Sequence, residues 1–202
     1  MSSENRSTVA IALKPGSSVE SVRSEFQNFT VANCFKLEIR NYTSFDLISD
    51  HNIHISTQHV SNHKTDIKSG EWELIAGRKS SRSLTGLEGV FSWNIAGTEK
   101  FVSVMFGVPN SILPFTGGTD NRLAIGIHGK SDLTAEEKLR RMYDESQKNF
   151  RGKVFDEDTE PIKFSCDDNR FSVTGLMGKE KKCSIVVFLT ASKTNEHSIT
   201  GK

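Results

Sequence analysis

Phe101-Val102-Ser103-Val104-Met105-Phe106-Gly107-Val108-Pro109 is the stretch that decides how this chain folds. Successive side chains of a strand point to opposite faces. Phe101, Ser103, Met105 and Gly107 therefore share one face, and Val102, Val104, Phe106 and Val108 share the other. Neither face is strongly polar, which predicts a strand covered on both sides. Pro109 ends it, because proline has no N–H to give to a ladder. Leu87 to Trp93, just upstream, has the same character and is predicted to be its hairpin partner.

Further from this pair the pattern stays mostly β. Phe35 to Arg40 alternates apolar with charged, as a strand with one wet face does. Asn41 to Ser44 reads as a turn. Phe45 to Ile48, Ile53 to Thr57, Trp72 to Ile75 and Leu123 to His128 are further strand candidates. Phe164 to Cys166, Phe171 to Leu176 and Ser184 to Leu189 close the series. Two segments break the pattern. Ser17-Ser18-Val19-Glu20 reads as a capping box, and Val19, Val22, Phe26 and Phe29 then recur at helical spacing from about Ser18 to Thr30. Ser131 to about Lys148 is predicted as a second helix, with Leu133, Leu139, Met142 and Tyr143 on its apolar side. The expected fold is mainly β, a β-sandwich flanked by two α-helices. Its parts are an N-terminal segment over 1–33, the sandwich over 34–190 and a polar tail over 191–202.

The 202 residues make one domain of ordinary size, and a net charge of +1 gives no bulk field for nucleic acid. The three cysteines, Cys34, Cys166 and Cys183, are too few for a disulfide framework, and three reduced thiols are expected; a Cys166–Cys183 bridge is the minority alternative. No segment approaches the ~20 apolar residues of a spanning helix. Val9 to Leu13 is too short for a signal-peptide core. A soluble chain is expected, cytoplasmic or released by an unconventional route. Sequons at Asn5, Asn28 and Asn41 matter only in a secretory compartment.

Four local motifs, in order and spacing, resemble those of the actinoporin family, the pore-forming cytolysins of sea anemones and their actinoporin-like relatives. They are Thr85-Gly86-Leu87-Glu88-Gly89-Val90, Val104-Met105-Phe106-Gly107-Val108-Pro109, Arg141-Met142-Tyr143-Asp144-Glu145 and Phe150-Arg151-Gly152. The resemblance covers roughly Lys36 to Leu189. It implies a soluble protein that binds phosphocholine headgroups, sphingomyelin above all, inserts its N-terminal helix and self-assembles into a membrane pore. The headgroup site it implies falls on Ser56, Glu88, Gly107, Pro109, Phe115 and Tyr143. Aromatic faces attract a quaternary ammonium, and hydroxyls donate to the phosphate. Ile112, Leu113 and Phe115 would form the membrane loop. Val19, Val22, Phe26 and Phe29 would form the inserting face, and Arg151 and Gly152 a contact between copies.

The chain departs from the family pattern at defined places. Gly107 stands where the family has serine, and Glu88 where it has valine. Phe115 lacks a tyrosine hydroxyl. Gln147 and Lys148 replace two later tyrosines, and Lys153 replaces an aspartate. Ser18 to Ala32 as a helix spans about 22 Å at ~1.5 Å per residue, against ~30 Å of hydrocarbon. Pro15-Gly16 interrupts any extension. A non-lytic binding module on the same fold, for lipid or glycan, is therefore the alternative.

Other chemistry is weakly signalled. His51, His54, His59 and His63 have spacings that can bind zinc, but a single strand would put His54 and His59 on opposite faces. Cys166-Asp167-Asp168-Asn169 reads as a turn, and Lys179 to Lys182 as a basic hairpin tip. The sequence has no G-x-S-x-G, P-loop or dinucleotide fingerprint, so neither an enzyme nor a cofactor is expected.

Overall fold

The alternating segments form strands. A computed structural model describes residues 10–12, 24, 27–28, 34–50, 54–55, 58–59, 66–78, 86–109, 120–130, 133–143, 148–155 and 160–192. The strands are β1 (Ala10–Ala12), β2 (Cys34–Tyr42), β3 (Leu47–Ser49), β4 (His54–Ile55), β5 (Gln58–His59), β6 (Trp72–Arg78), β7 (Leu87–Ile95) and β8 (Lys100–Val108). After them come β9 (Asn121–Gly129), β10 (Phe150–Phe155), β11 (Ile162–Ser165), β12 (Phe171–Met177) and β13 (Lys182–Ala191). One helix, α1 (Ala135–Tyr143), lies between β9 and β10.

The strands make two sheets. The first has the order β1-β6-β2-β13-β12-β11, and the second β10-β9-β8-β7-β4-β5, with β3 also pairing β7. β2 and β13 are parallel; the other pairings are antiparallel. The β7–β8 hairpin expected from the opening stretch is present, with Glu88 opposite Gly107 and Ser92 opposite Ser103.

The prediction that β8 is covered on both sides holds for two different reasons. Val102, Val104, Phe106 and Val108 enter the core between the sheets with Phe35, Phe91 and Trp93. The Phe35 and Phe106 rings lie 4.2 Å apart. On the opposite face, Met105 packs with Val90 and Ala124 against Ala135, Leu139 and Met142 of α1. The helix thus converts an outer sheet face into a second, smaller core.

Several local expectations change. β2 runs on through Asn41 and Tyr42, where a turn was expected. Asn41 is fully buried. Its amide donates to the carbonyls of Phe45, Ile67 and Lys68, and its Oδ1 accepts from the backbone N–H and hydroxyl of Thr43. In the folded protein the Asn41 sequon therefore offers no amide for glycosylation. His54 and His59 are register partners in a two-strand hairpin, not alternate positions of one strand. Of the strand expected over Ile53 to Thr57, His54 and Ile55 are described and lie in β4; the other residues lie outside those described. Among the described residues no group of three His, Cys, Asp or Glu is placed to hold a metal ion.

The second helix is described over Ala135–Tyr143. For the first, only Ser24, Gln27 and Asn28 are described; they are helical and exposed. The turn at Cys166 to Asn169 forms as expected, with Asn169 at φ 53°, a value asparagine tolerates. The three cysteines are free and buried. Burial pushes the Cys183 thiol up to about 12, and the Cys166 thiol instead donates to Asp168 at 2.7 Å. Among the described residues no helix is long and apolar enough to cross a membrane.

Candidate functional site

One row of residues crosses three strands at the Pro109 end of the second sheet. Glu88 on β7 pairs with Gly107 on β8, which pairs with Arg122 on β9. Cross-strand partners share a face, so this row presents a carboxylate, a gap and a guanidinium side by side. Tyr143, the last residue of α1, lies over the gap. Its hydroxyl donates to Glu88 Oε2 at 2.7 Å. A Cβ at position 107 would stand 2.5 Å from that hydroxyl, so only glycine leaves room for it. The Arg122 guanidinium sits 5.4 Å from the Tyr143 ring centroid, a cation–π contact. Its Nη1 also donates to the Tyr143 carbonyl at 3.3 Å, satisfying one acceptor at the helix C-terminus.

Burial, and secondarily the Glu88 charge, raises the Tyr143 phenol well above its usual range. The phenol therefore stays protonated and acts as a fixed donor to Glu88. The Tyr143 hydroxyl is thus committed within the protein, while the residue still lines the cleft described next.

Beside this assembly lies an open cleft of about 660 Å³, lined by Glu88, Thr134, Glu136, Glu137, Leu139, Arg140 and Tyr143. Three carboxylates face one guanidinium, so the lining is net acidic. Glu137 also caps the helix. The Thr134 N–H and hydroxyl each donate to Glu137 Oε2 at 2.9 Å, and the Glu137 N–H donates back to Thr134 Oγ1 at 3.2 Å. This reciprocal capping box fixes where α1 begins. It also holds the Glu137 carboxyl below its ordinary range.

The structure brings Glu88, Gly107, Pro109 and Tyr143 to this end of the sheet. Pro109 follows β8 directly and is half-buried. Ser56, Phe115, Ile112 and Leu113 lie outside the described residues, as do Val19, Val22, Phe26 and Phe29. Arg151 and Gly152 sit in β10, paired with Ile125 and Ala124 and away from the Glu88 row; Arg151 is exposed and donates to the Lys163 carbonyl at 3.4 Å.

Sequence reasoning missed a second polar group under the same helix. Lys138, only 2% exposed, ion-pairs with Asp50 at 3.0 Å. Beyond it lie buried Ser92, Ser103 and His128. The available signal was one of register: two serines in apolar strands, placed opposite one another in a hairpin, share the face that α1 covers.

A two-sheet β-sandwich with a helix laid on the outer face of one sheet, its terminal tyrosine pinned over the strand ends, is the actinoporin-like fold expected above. A solved structure with this fold is that of the lipid binding protein Nakanori, which superposes with a TM-score of 0.59 over 85% of this chain and 78% of that one, at 13% identity. At that identity the likeness is one of fold. IP-1A from Alcaligenes faecalis is 12% identical over 83% of this chain and 97% of its own, with a TM-score of 0.38, too low to support any argument. No protein-family model and no curated protein matches the sequence.

Proposed function

We propose that this protein binds membrane lipid through the cleft beside Tyr143 and Glu88, and that the choline headgroup is the part it reads. The observation that carries the reading is the convergence of Glu88, Gly107, Pro109 and Tyr143, which the resemblance assigns to a headgroup site, beside an open acidic cleft. The likeness of fold to a lipid binding protein supports placing a lipid on this architecture. Glu88 and Glu136 offer counter-charges to a quaternary ammonium. Arg140 is the cleft's cation for a phosphate, a role that neither Gly107 nor the committed Tyr143 hydroxyl fills. On this reading the protein is a binding protein rather than an enzyme. Insertion of the segment bearing Val19, Val22, Phe26 and Phe29, with self-assembly into a pore, is the second stage after binding.

Co-sedimentation with vesicles tests the first stage and dye release the second. Phosphatidylcholine vesicles with sphingomyelin should retain the protein, and choline-free phosphatidylglycerol vesicles should not. Equal binding to both sinks the headgroup assignment. Binding without dye release assigns a recognition module with no pore.

A second reading, glycan recognition, is favoured by the outer face of the other sheet. Trp72, Arg40 and Phe188 are register partners across β6, β2 and β13. The Arg40 guanidinium lies 5.4 Å from the Phe188 ring, and Tyr42, 54% exposed, stacks on that ring at 6.1 Å. Exposed aromatic faces beside hydroxyl-bearing Thr174 and Thr190 suit the apolar and polar sides of a sugar ring. Retention on immobilised glycans, lost on Trp72→Ala, distinguishes this reading from the first.

A further inference from the structure

Beneath α1 runs a chain of hydrogen bonds with a single direction. The Lys138 ammonium donates to Asp50 Oδ2 at 3.0 Å and to Ser92 Oγ at 3.1 Å. Ser92 and Ser103 hydroxyl oxygens are 2.7 Å apart, Ser103 Oγ and His128 Nε2 2.8 Å, and His128 Nδ1 and the Gly129 carbonyl 2.7 Å. The chemistry of the two ends fixes every proton between them. An ammonium only donates, so Ser92 accepts from Lys138. A carbonyl only accepts, so Nδ1 carries a hydrogen. The neutral imidazole then accepts at Nε2 from Ser103, and Ser103 accepts from Ser92. All five protein groups from Lys138 to Gly129 are satisfied in this one arrangement.

A proton on Nε2 breaks the arrangement. Ser103 would then accept from both sides, and its own hydrogen would have no acceptor in a site where it is fully buried. A second positive charge would also join buried Lys138. The charged groups acting on His128 are Lys138 from α1, which opposes its protonation, and Asp50 after β3, which favours it. The rings flanking it, Phe101 of β8 at 5.9 Å and Phe150 of β10 at 5.4 Å, are uncharged. Of the neighbouring lysines, Lys100 turns to Asp168 at 3.7 Å and Lys148 to Asp167 at 3.4 Å, while Lys130 is exposed.

We propose that His128 makes α1 an acid-loosened element, whose docking over the chain from Lys138 to His128 weakens when the imidazole is protonated. Burial holds the His128 pKa below its ordinary value. The sign follows. An undocked imidazole titrates near pH ~6.5, so docking is fully favoured above that value and weakens as the pH falls through the window beneath it. Ala135, Leu139 and Met142 still hold the helix by apolar contact, so the change is a partial opening. Because α1 carries Tyr143, Arg140, Glu136 and Glu137 of the cleft, mild acid would also remodel the cleft; that consequence rests on the lipid reading above, and the switch itself does not.

Hydrogen exchange of the full chain at pH 7.4 and 5.5, corrected for intrinsic rates, tests the switch without any ligand. Protection of α1 amides should fall roughly tenfold more than that of β12 and β13. His128→Gln and His128→Asn, which carry no titrating ring, should remove the difference. An NMR titration of His128 in the unaltered protein should show a midpoint that coincides with the opening. Unchanged α1 protection at pH 5.5, or pH dependence that survives both substitutions, overturns the proposal. Co-sedimentation with sphingomyelin vesicles at both pH values separates the two readings. An acid-opened helix with unaltered vesicle binding upholds the switch and removes the cleft from lipid recognition.

Discussion

The two faces of β8 are both buried, yet they are built on opposite rules. The inner face, Val102, Val104, Phe106 and Val108, meets only apolar neighbours. The outer face, Ser103, Met105 and Gly107, meets a hydroxyl chain, a small apolar cluster and a tyrosine hydroxyl in turn. Burial on the inner face costs nothing in polar groups and is stabilised by area alone. On the outer face each buried polar group needs its partner, so removal of one member is felt by the next. The inner face holds the sandwich together. The outer face fixes where α1 sits, and hence the shape of the cleft.

Substitutions at three positions test that contrast. Phe106→Ala, at the centre of the inner face, should give the largest loss, about 3–5 kcal/mol in denaturant unfolding. A loss below 1 kcal/mol would mean that the aromatic cluster is not the keystone of the sandwich. Lys138→Ala, under α1, should cost roughly 2–4 kcal/mol by leaving Asp50 and Ser92 without their cation, and Lys138→Met should recover part of it by filling the volume. Equal losses for the two would assign the whole effect to the missing cation and none to packing.

The smallest effect is also the most specific. Gly107→Ala should cost roughly 1–3 kcal/mol through its clash with the Tyr143 hydroxyl. In a Tyr143→Phe background the nearest remaining atom is the ring carbon at 3.5 Å, an ordinary contact. There the same substitution should cost less than about 0.5 kcal/mol. Additive effects would show that the hydroxyl does not occupy the gap.

The sequence made the strands legible because alternation and apolar content survive in short windows, as in Phe35 to Arg40 and Ser184 to Leu189. The β4–β5 hairpin was hidden because its residues, His54, Ile55, Gln58 and His59, carry no turn signal between them. At the candidate site, Glu88, Gly107 and Tyr143 were found, but Glu88 and Gly107 were read as two independent losses. Register shows them as one compensated change: Glu88 accepts the hydroxyl for which Gly107 makes room. Lys138 gives no sign of burial in the sequence because its partners, Asp50 and Ser92, are 88 and 46 positions away in the chain.

The parallel pairing of β2 with β13 sets the order of events during synthesis. β2 can pair with β6 early, but its other edge must wait for residues roughly 150 positions downstream. At ~5–20 residues per second the ribosome takes roughly 8–30 s to supply them. Through that interval a nascent chain displays an unpaired edge flanked by Leu37 and Ile39, a template for any extended segment nearby. Nascent chains truncated before β13 should therefore be the form that chaperones hold and that aggregates when they do not.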